Sequence, residues 1–239
     1  MMDAALMKLR ARDEVSQEEE RAFRGLFSEV VEHRADEIVV RAHVEQDSSR
    51  VLLNGILCRY KDLRNGERQI TELHVSGDFV DLHSFTLKRL DHNILALVPS
   101  RVAVVPHKAL VEISEKYPHF TRLLWFSTNL DAAVHREWAV SLGRRTAIAR
   151  VAHLVCELYI RLEIVGLAGD LTYELPLTQG DIAECLGLTS VHVNRVLKEL
   201  REQELATFRG SQVRIHDMDA LKRIAEFDET YLYLNRQPR

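Results

Sequence analysis

The stretch LTQGDIAECLGLTSVHVNRVLKEL, Leu177 to Leu200, constrains this chain more than any other. Thr178 is placed to cap a helix beginning at Gln179, its hydroxyl serving a free backbone N–H. Ile182, Ala183 and Leu186 then fall on one face. Gly187 ends the helix, because a left-handed backbone suits glycine alone. Thr189 or Ser190 caps a second helix, in which Val193, Val196, Leu197 and Leu200 form a single buried stripe. At about 100° per residue, Val191, Arg195, Lys198 and Glu202 point directly away from that stripe. Ser190 and Asn194 lie on one flank and His192 on the other. The small Ala183 sits where two crossed helices approach each other. This spacing is that of a helix-turn-helix, which offers its second helix to the major groove of DNA.

An ordinary helical hairpin inside a core has the same pattern, so the next run matters. ELATFRGSQVRIHD, Glu204 to Asp217, is two β-prone segments about an Arg-Gly-Ser turn. A helix-turn-helix followed by a hairpin is a winged helix, and the expected partner is double-stranded DNA.

Bulk properties narrow the setting. The chain has 239 residues, 46% of them hydrophobic, with room for two modest domains. It has no apolar run of membrane-spanning length and no signal-peptide core near its start. Cys58, Cys156 and Cys185 are far apart in the sequence, which excludes a disulfide framework and a cysteine-rich metal site. A reduced, cytoplasmic setting is expected. At a net charge of −4 the chain is less basic than expected of a non-specific polyanion binder, but charge placement matters more than the total. Asp13, Glu14, Glu18, Glu19 and Glu20 gather early. Arg144, Arg145, Arg150, Arg195, Lys198, Arg209 and Arg214 gather around the helix-turn-helix.

Upstream, SQEEERAFRGLFSEVVEH, Ser16 to His33, opens with a capping box, Ser16-x-x-Glu19. It reads as a helix with Ala22, Phe23, Leu26, Phe27, Val30 and Val31 on its apolar face. Short β-rich runs follow at 37–43, 50–60, 68–75, 93–98 and 101–106, with a hairpin signal at Asn65-Gly66. Strands at this spacing predict a small barrel or jelly roll. From about Pro118 the period lengthens. No glycine or proline interrupts Phe120 to Leu142, a helix of roughly 34 Å. Leu123, Phe126, Leu130, Ala133, Val134 and Val140 are its candidate dimer seam, the alternative being a helix packed on its own barrel. Gly143 is expected to break it, leaving a hinge near Leu142–Arg144. A further helix is then expected over Arg144–Ile164, and a loop or short strand pair over Leu167–Leu177.

Barrel, long helix and winged helix, in that order, resemble the Crp/Fnr family of bacterial transcription regulators over roughly Ser16 to Ala225. RNGERQITELHVSGDFV (Arg64–Val80) is similar to the family's barrel hairpin and Gly-Asp turn. The resemblance implies an α+β fold with three parts. These are a cyclic-nucleotide-binding-like β-roll in residues 1–118, a dimerisation helix in 119–142 and a winged helix-turn-helix in 143–239. It implies a homodimer on two-fold-symmetric promoter sites, a small signal sensed in the roll, and contact with RNA polymerase. It places Arg195 at the family's base-reading arginine, and a guanidinium there is suited to guanine O6 and N7. Val191 stands where many members carry a glutamate that pairs with cytosine. A valine packs on a thymine methyl instead, so an altered half-site is expected. Ser190 and Asn194 are further base-reading candidates. Thr178, Gln179, Thr189, His192, Lys198 and Arg209 are candidates for the DNA backbone.

The signal is less legible. There is no glycine between Gly77 and Gly143. Leu90 replaces the family's phosphate-holding arginine and Asp91 its hydroxyl neighbour, so cyclic nucleotide binding is not expected. The iron–sulfur branch needs cysteines clustered near the N-terminus, and these are lacking. His74, His83, His92 and His107 form no His-x-His pair, and buried thiols are usually inert. No catalytic, metal or cofactor site is therefore expected. The alternatives to a regulator are a cupin-like metal enzyme with a regulatory tail, for which the His-x-His pair is missing, and a sensor module that docks only to protein.

Overall fold

The computed structural model describes residues 3–238. Its elements run α1 (Asp3–Arg10), α2 (Gln17–Arg24), β1 (Glu29–His33), β2 (Ile38–Val40), β3 (Ser48–Asn54), β4 (Leu57–Asp62), β5 (Arg68–His74), α3 (Ser84–Leu87), β6 (Asn93–Ala96), β7 (Ser100–Pro106) and α4 (His107–Lys116). There follow α5 (Pro118–Arg144), α6 (Ala147–Glu163), β8 (Ala168–Gly169), β9 (Thr172–Glu174), α7 (Gln179–Leu186), α8 (Ser190–Glu202), β10 (Ala206–Arg209), β11 (Gln212–Ile215) and α9 (Met218–Ala225). Two units emerge. The N-terminal unit holds the chain up to Tyr60, Leu73–Ala133 and the tail from Leu232; the C-terminal unit holds Lys61–Glu72 and Val134–Tyr231. Among the described residues, no helix is long and apolar enough to cross a membrane.

The N-terminal unit is a roll of antiparallel strands in two sheets, ordered β1-β7-β3 and β2-β6-β4-β5. Alternation along the strands sends every second side chain inward. Val40, Leu52, Leu57, Val80, Leu90, Ile94, Ala96 and Val102 fill the interior. A second cluster joins Leu6 and Leu9 of α1, Phe23 of α2, Val51, Ala103, Leu110 of α4, and Phe120 and Leu123 of α5. Full burial of each large side chain contributes roughly 1.5–3 kcal/mol.

Helix α1 was not foreseen. It fits because Gly77, at φ +90°, has no Cβ: an added one would lie 2.7 Å from the Ala4 carbonyl carbon. Lys8 of α1 pairs with Asp78 on the same turn. The tail docks on this region. Arg12, only 3% exposed, donates to the Leu232 carbonyl from Nε at 3.2 Å and from Nη2 at 3.1 Å, and to the Lys8 carbonyl from Nη1 at 2.8 Å. The Gln237 amide donates back to the Arg12 carbonyl at 3.0 Å. Nearby, His119 at the start of α5 bridges Glu19 (2.6 Å) and Asp13 (3.4 Å).

Three sequence expectations are corrected. The Ser16–Glu19 capping box is present, but helix α2 stops at Arg24, and Val30 and Val31 lie in β1. Paired with Ala103 and Val102 of β7, these β-branched residues gain more from a sheet than from continuing a helix. The 50–60 run is two strands, turned at Gly55 with φ +102°. Helix α5 runs through Gly143 to Arg144, and the break falls at Arg145–Thr146, where Thr146 caps α6. A mid-helix glycine costs only about 1 kcal/mol, which the surrounding helix offsets.

In the C-terminal unit, α6 is buried on nearly every side, from Val151 to Leu162. It packs against α8 and α9. The 167–177 segment is a strand pair, extending the wing into a sheet ordered β10-β11-β9-β8. Glu157 of α6 is fully buried. It accepts hydrogen bonds from Arg161 Nη1 (2.8 Å), Tyr231 Oη (2.8 Å) and Trp138 Nε1 (3.1 Å). A buried carboxylate is tolerable only with such partners. Trp138 thereby ties the last turns of α5 to α6.

Candidate nucleic-acid interface

Two helices and a wing form the exposed side of the C-terminal unit, and local rules fix each boundary. Thr178 Oγ1 accepts from the Asp181 amide at 3.1 Å, and Asp181 Oδ2 accepts from the Thr178 amide at 2.7 Å, a reciprocal cap on α7. Gly187 closes α7 in the left-handed region, φ +60° and ψ +42°. Thr189 Oγ1 caps α8 by accepting from the His192 amide at 3.2 Å. Val193, Val196 and Leu200 of α8 are buried and Leu197 half-buried, which fixes the helix's rotation.

That rotation decides what faces outward. Ser190, Val191, Asn194, Arg195 and Lys198 are exposed, Val191 to 81%, while His192 is half-buried on its flank. An apolar residue this exposed on a charged face has no packing role in the chain itself. Lys198 lies 3.6 Å from Glu202, but both are widely exposed and such a pair contributes little. Thr178, Gln179 and Thr189 are exposed at the two helix starts. Arg209 is exposed at the wing tip beside Gly210, whose φ of +58° makes the turn. All ten candidate DNA residues thus sit on α7, α8, their N-terminal caps or the wing. Between α8 and the wing lies a cleft of about 310 Å³, lined in part by Gln179, Asn194, Lys198, Arg201 and Gln212. Arg201 and Gln212 escaped the sequence reading; Arg201 shares the flank of Ser190 and Asn194, a signal that helical rotation contains.

The seam candidates on α5 divide. Leu123, Ala133 and Val134 are buried in their own chain, so in this structure they are not open to a second copy. Phe126 and Leu130 are half-buried, and Val140 is half-exposed. The outer face instead presents Trp125 (69% exposed), Ala132, Ala139 and Val140, between Arg122, Asn129 and Arg136. Residues 122, 125, 129, 132, 136 and 139 alternate steps of three and four, the spacing of a helix–helix seam.

The fold and this surface define a winged-helix DNA-binding protein carried behind a β-roll. Two family models match: a Crp-like helix-turn-helix domain over residues 149–224 and a cyclic nucleotide-binding domain over residues 30–117. The chain is 28% identical over 185 residues to the transcriptional activator protein FnrL of Cereibacter sphaeroides, covering 75% of this chain and 73% of that one. It is 25% identical over 185 residues to the fumarate and nitrate reduction regulatory protein of Escherichia coli, covering 77% and 74%. Its structure is similar to that of FixK2 from Bradyrhizobium japonicum, with TM-score 0.75 and 26% identity over 82% of this chain and 96% of that one. The chain belongs to the Crp/Fnr family and is a DNA-binding transcription regulator, not an enzyme.

The name of the roll's family model raises the question of a nucleotide. The residues present do not fit one. Leu90, the residue that the sequence resemblance sets at the phosphate-holding arginine, is 1% exposed and packed among the apolar side chains of the roll. Asp91 beside it is exposed and lies 3.0 Å from His92 Nδ1; its carboxylate would repel a phosphate. Within the roll, His107 serves internal bonds: its Nε2 lies 3.2 Å from both the Ser49 and Ser84 hydroxyls. All three cysteines are buried, and burial pushes the Cys156 thiol up to about 12, where it is unreactive.

Proposed function

We propose that two copies of this chain pair along α5 and set their α8 helices into successive major grooves of a palindromic promoter site, about 34 Å apart. The observation that carries this is the exposed Arg195, held opposite the buried stripe of α8 with Val191 and Lys198 beside it. Arg195, Val191, Ser190 and Asn194 read base edges. Thr178, Gln179, Thr189, His192, Lys198 and Arg209 hold phosphates and set the register. In this reading residues 1–118 are the sensor-like roll, 119–142 the pairing helix and 143–239 the reading domain. The pairing face is the outer side of α5, with Trp125, Ala132, Ala139 and Val140. The bound dimer acts on chromosomal DNA in the cytoplasm and contacts RNA polymerase.

Selection of binding sequences from random duplexes, followed by equilibrium binding at stated salt, tests the reading. The expected outcome is a two-fold-symmetric site with guanine opposite Arg195 and no cytosine requirement from position 191. A chain that binds all duplexes alike, or none, refutes it.

A further inference from the structure

The last carbonyls of a helix have no partner within it. In α7 they are taken by two side chains from outside the helix-turn-helix. Arg150 Nη1 of α6 donates to the Leu186 carbonyl at 2.9 Å. The Gln69 amide donates to the Glu184 carbonyl at 2.8 Å and stands 3.4 Å from that of Cys185. Beside it, Arg68 lies 3.9 Å from the Glu184 carboxylate. Gln69 comes from the 61–72 hairpin, 115 residues earlier in the chain, which belongs to the C-terminal unit although its strands are β4 and β5 of the roll. The hairpin is well formed: the Leu63 amide donates to the Glu67 carbonyl at 2.8 Å, and that of Gly66 to the Leu63 carbonyl at 3.0 Å.

These bonds land where the angle between α7 and α8 is set. Directly after the carbonyls come Gly187, in its left-handed conformation, and the Leu188 amide, which donates to the Ala183 carbonyl at 3.0 Å. Thr189 then starts α8. We infer that Gln69 is a positioning residue for DNA recognition: it touches no DNA but fixes the turn from which Arg195 is aimed. The inference rests on the reading of α8 as the base-contacting helix. Hydrogen bonding to a base edge weakens steeply with misalignment, so a small rotation of α8 costs recognition before it costs folding. The Glu184 and Cys185 carbonyls lie at a half-buried site, where water replaces a lost amide. The fold therefore survives without Gln69, while the turn gains freedom.

The test uses the full-length chain and the duplex selected by the wild type. Gln69→Ala is expected to weaken binding about five- to tenfold, the worth of one hydrogen bond. The salt dependence should keep its slope, since no phosphate contact is lost. Gln69→Glu, which turns a carboxylate on the same carbonyls, should weaken binding further. Amide exchange should quicken over Leu188–His192 in Gln69→Ala and stay unchanged in the roll strands, with the melting temperature preserved. Equal affinity for wild type and Gln69→Ala overturns the assignment. So does a loss of affinity accompanied by faster exchange throughout, which marks a merely structural role. A wild type that binds no duplex overturns the reading of α8 itself, and this assignment with it.

Discussion

Helices α5 and α8 both carry apolar residues at helical spacing, yet they expose different amounts of information. Helix α8 has one stripe, and everything opposite that stripe is free for another task. Helix α5 has apolar residues around most of its circumference. Leu123, Leu124, Ala133, Val134 and Trp138 turn into the chain, whereas Trp125 and Val140 turn out. The outer face of α5 mixes Trp125 and Val140 with Arg122, Asn129 and Arg136. The chain's own core takes one face, and the proposed pairing with a second copy uses the other. Spacing alone cannot assign which face is which, because both repeat at three and four.

The largest effect that sharpens this contrast is on DNA. Arg195→Ala should cost about 1–3 kcal/mol at each half-site. A symmetric dimer loses it twice, so specific affinity should fall by about thirtyfold or more, with folding and dimerisation intact. Equilibrium binding to the selected duplex and to scrambled sequence reads this directly. Equal affinity for both before and after the substitution would leave α8 as mere surface.

The next effect separates the two faces of α5. Leu123→Ala empties a position that is 1% exposed, and should lower stability by about 2–5 kcal/mol. Trp125→Ala, two residues along on the outer face, should leave the melting temperature of the chain nearly unchanged while raising the dimer dissociation constant in sedimentation equilibrium. If Trp125→Ala unfolds the protein, or leaves a dimer of normal strength, the outer face is not the seam.

Two histidines, one in each unit, should also answer pH with opposite signs. His153, in the C-terminal unit, is stacked near Phe227 and Tyr231, and burial followed by the charge of Arg145 pushes its pKa down to about 3. Its neutral form is stable above the ordinary value near 6.5. That stability drains as pH falls from there towards 3, reaching a loss of about 2 kcal/mol by pH 5. His119, in the N-terminal unit, behaves in reverse. Burial opposes its charge, but hydrogen bonds to Glu19 and Asp13 outweigh burial and raise its pKa. Its contribution is complete below about 6.5 and is lost as pH climbs through the raised value. Amide exchange at pH 5 and pH 8 should therefore quicken around His153 in acid and around His119 in base. His153→Phe should remove the acid response around position 153 and leave that around His119 in base.

What the sequence made legible follows the range of the forces involved. Thr178, Gly187 and Thr189 act on backbone within four residues, so the helix-turn-helix and its outward face were readable without a structure. The Ser16–Glu19 cap was readable for the same reason. The end of α2 was not, because the pull on Val30 and Val31 comes from β7, about 70 residues on. Helix α1 depends on a glycine at position 77, the tail on Arg12, and the α7 turn on Gln69. Each joins segments far apart in the chain, and no local pattern announces them. Gly143 misled in the opposite direction: a local rule favoured a break, and the helical context on both sides overrode it.

The smallest effect probes a side chain rather than a charge. Val191 projects from the first turn of α8 and is 81% exposed, so its truncation touches nothing in the core. If it packs on a thymine methyl, Val191→Ala should lose about 1 kcal/mol at one base pair of each half-site, the worth of one or two buried methyl groups. Stability should not change. The loss should vanish on duplexes that carry uracil at that position, because uracil lacks the methyl group. Replacing the valine with glutamate should instead create a preference for cytosine, whose amino group needs an acceptor. A Val191→Glu chain that keeps the wild-type site would show that position 191 faces solvent in the complex and that the half-site is set by Arg195 and its flanking residues.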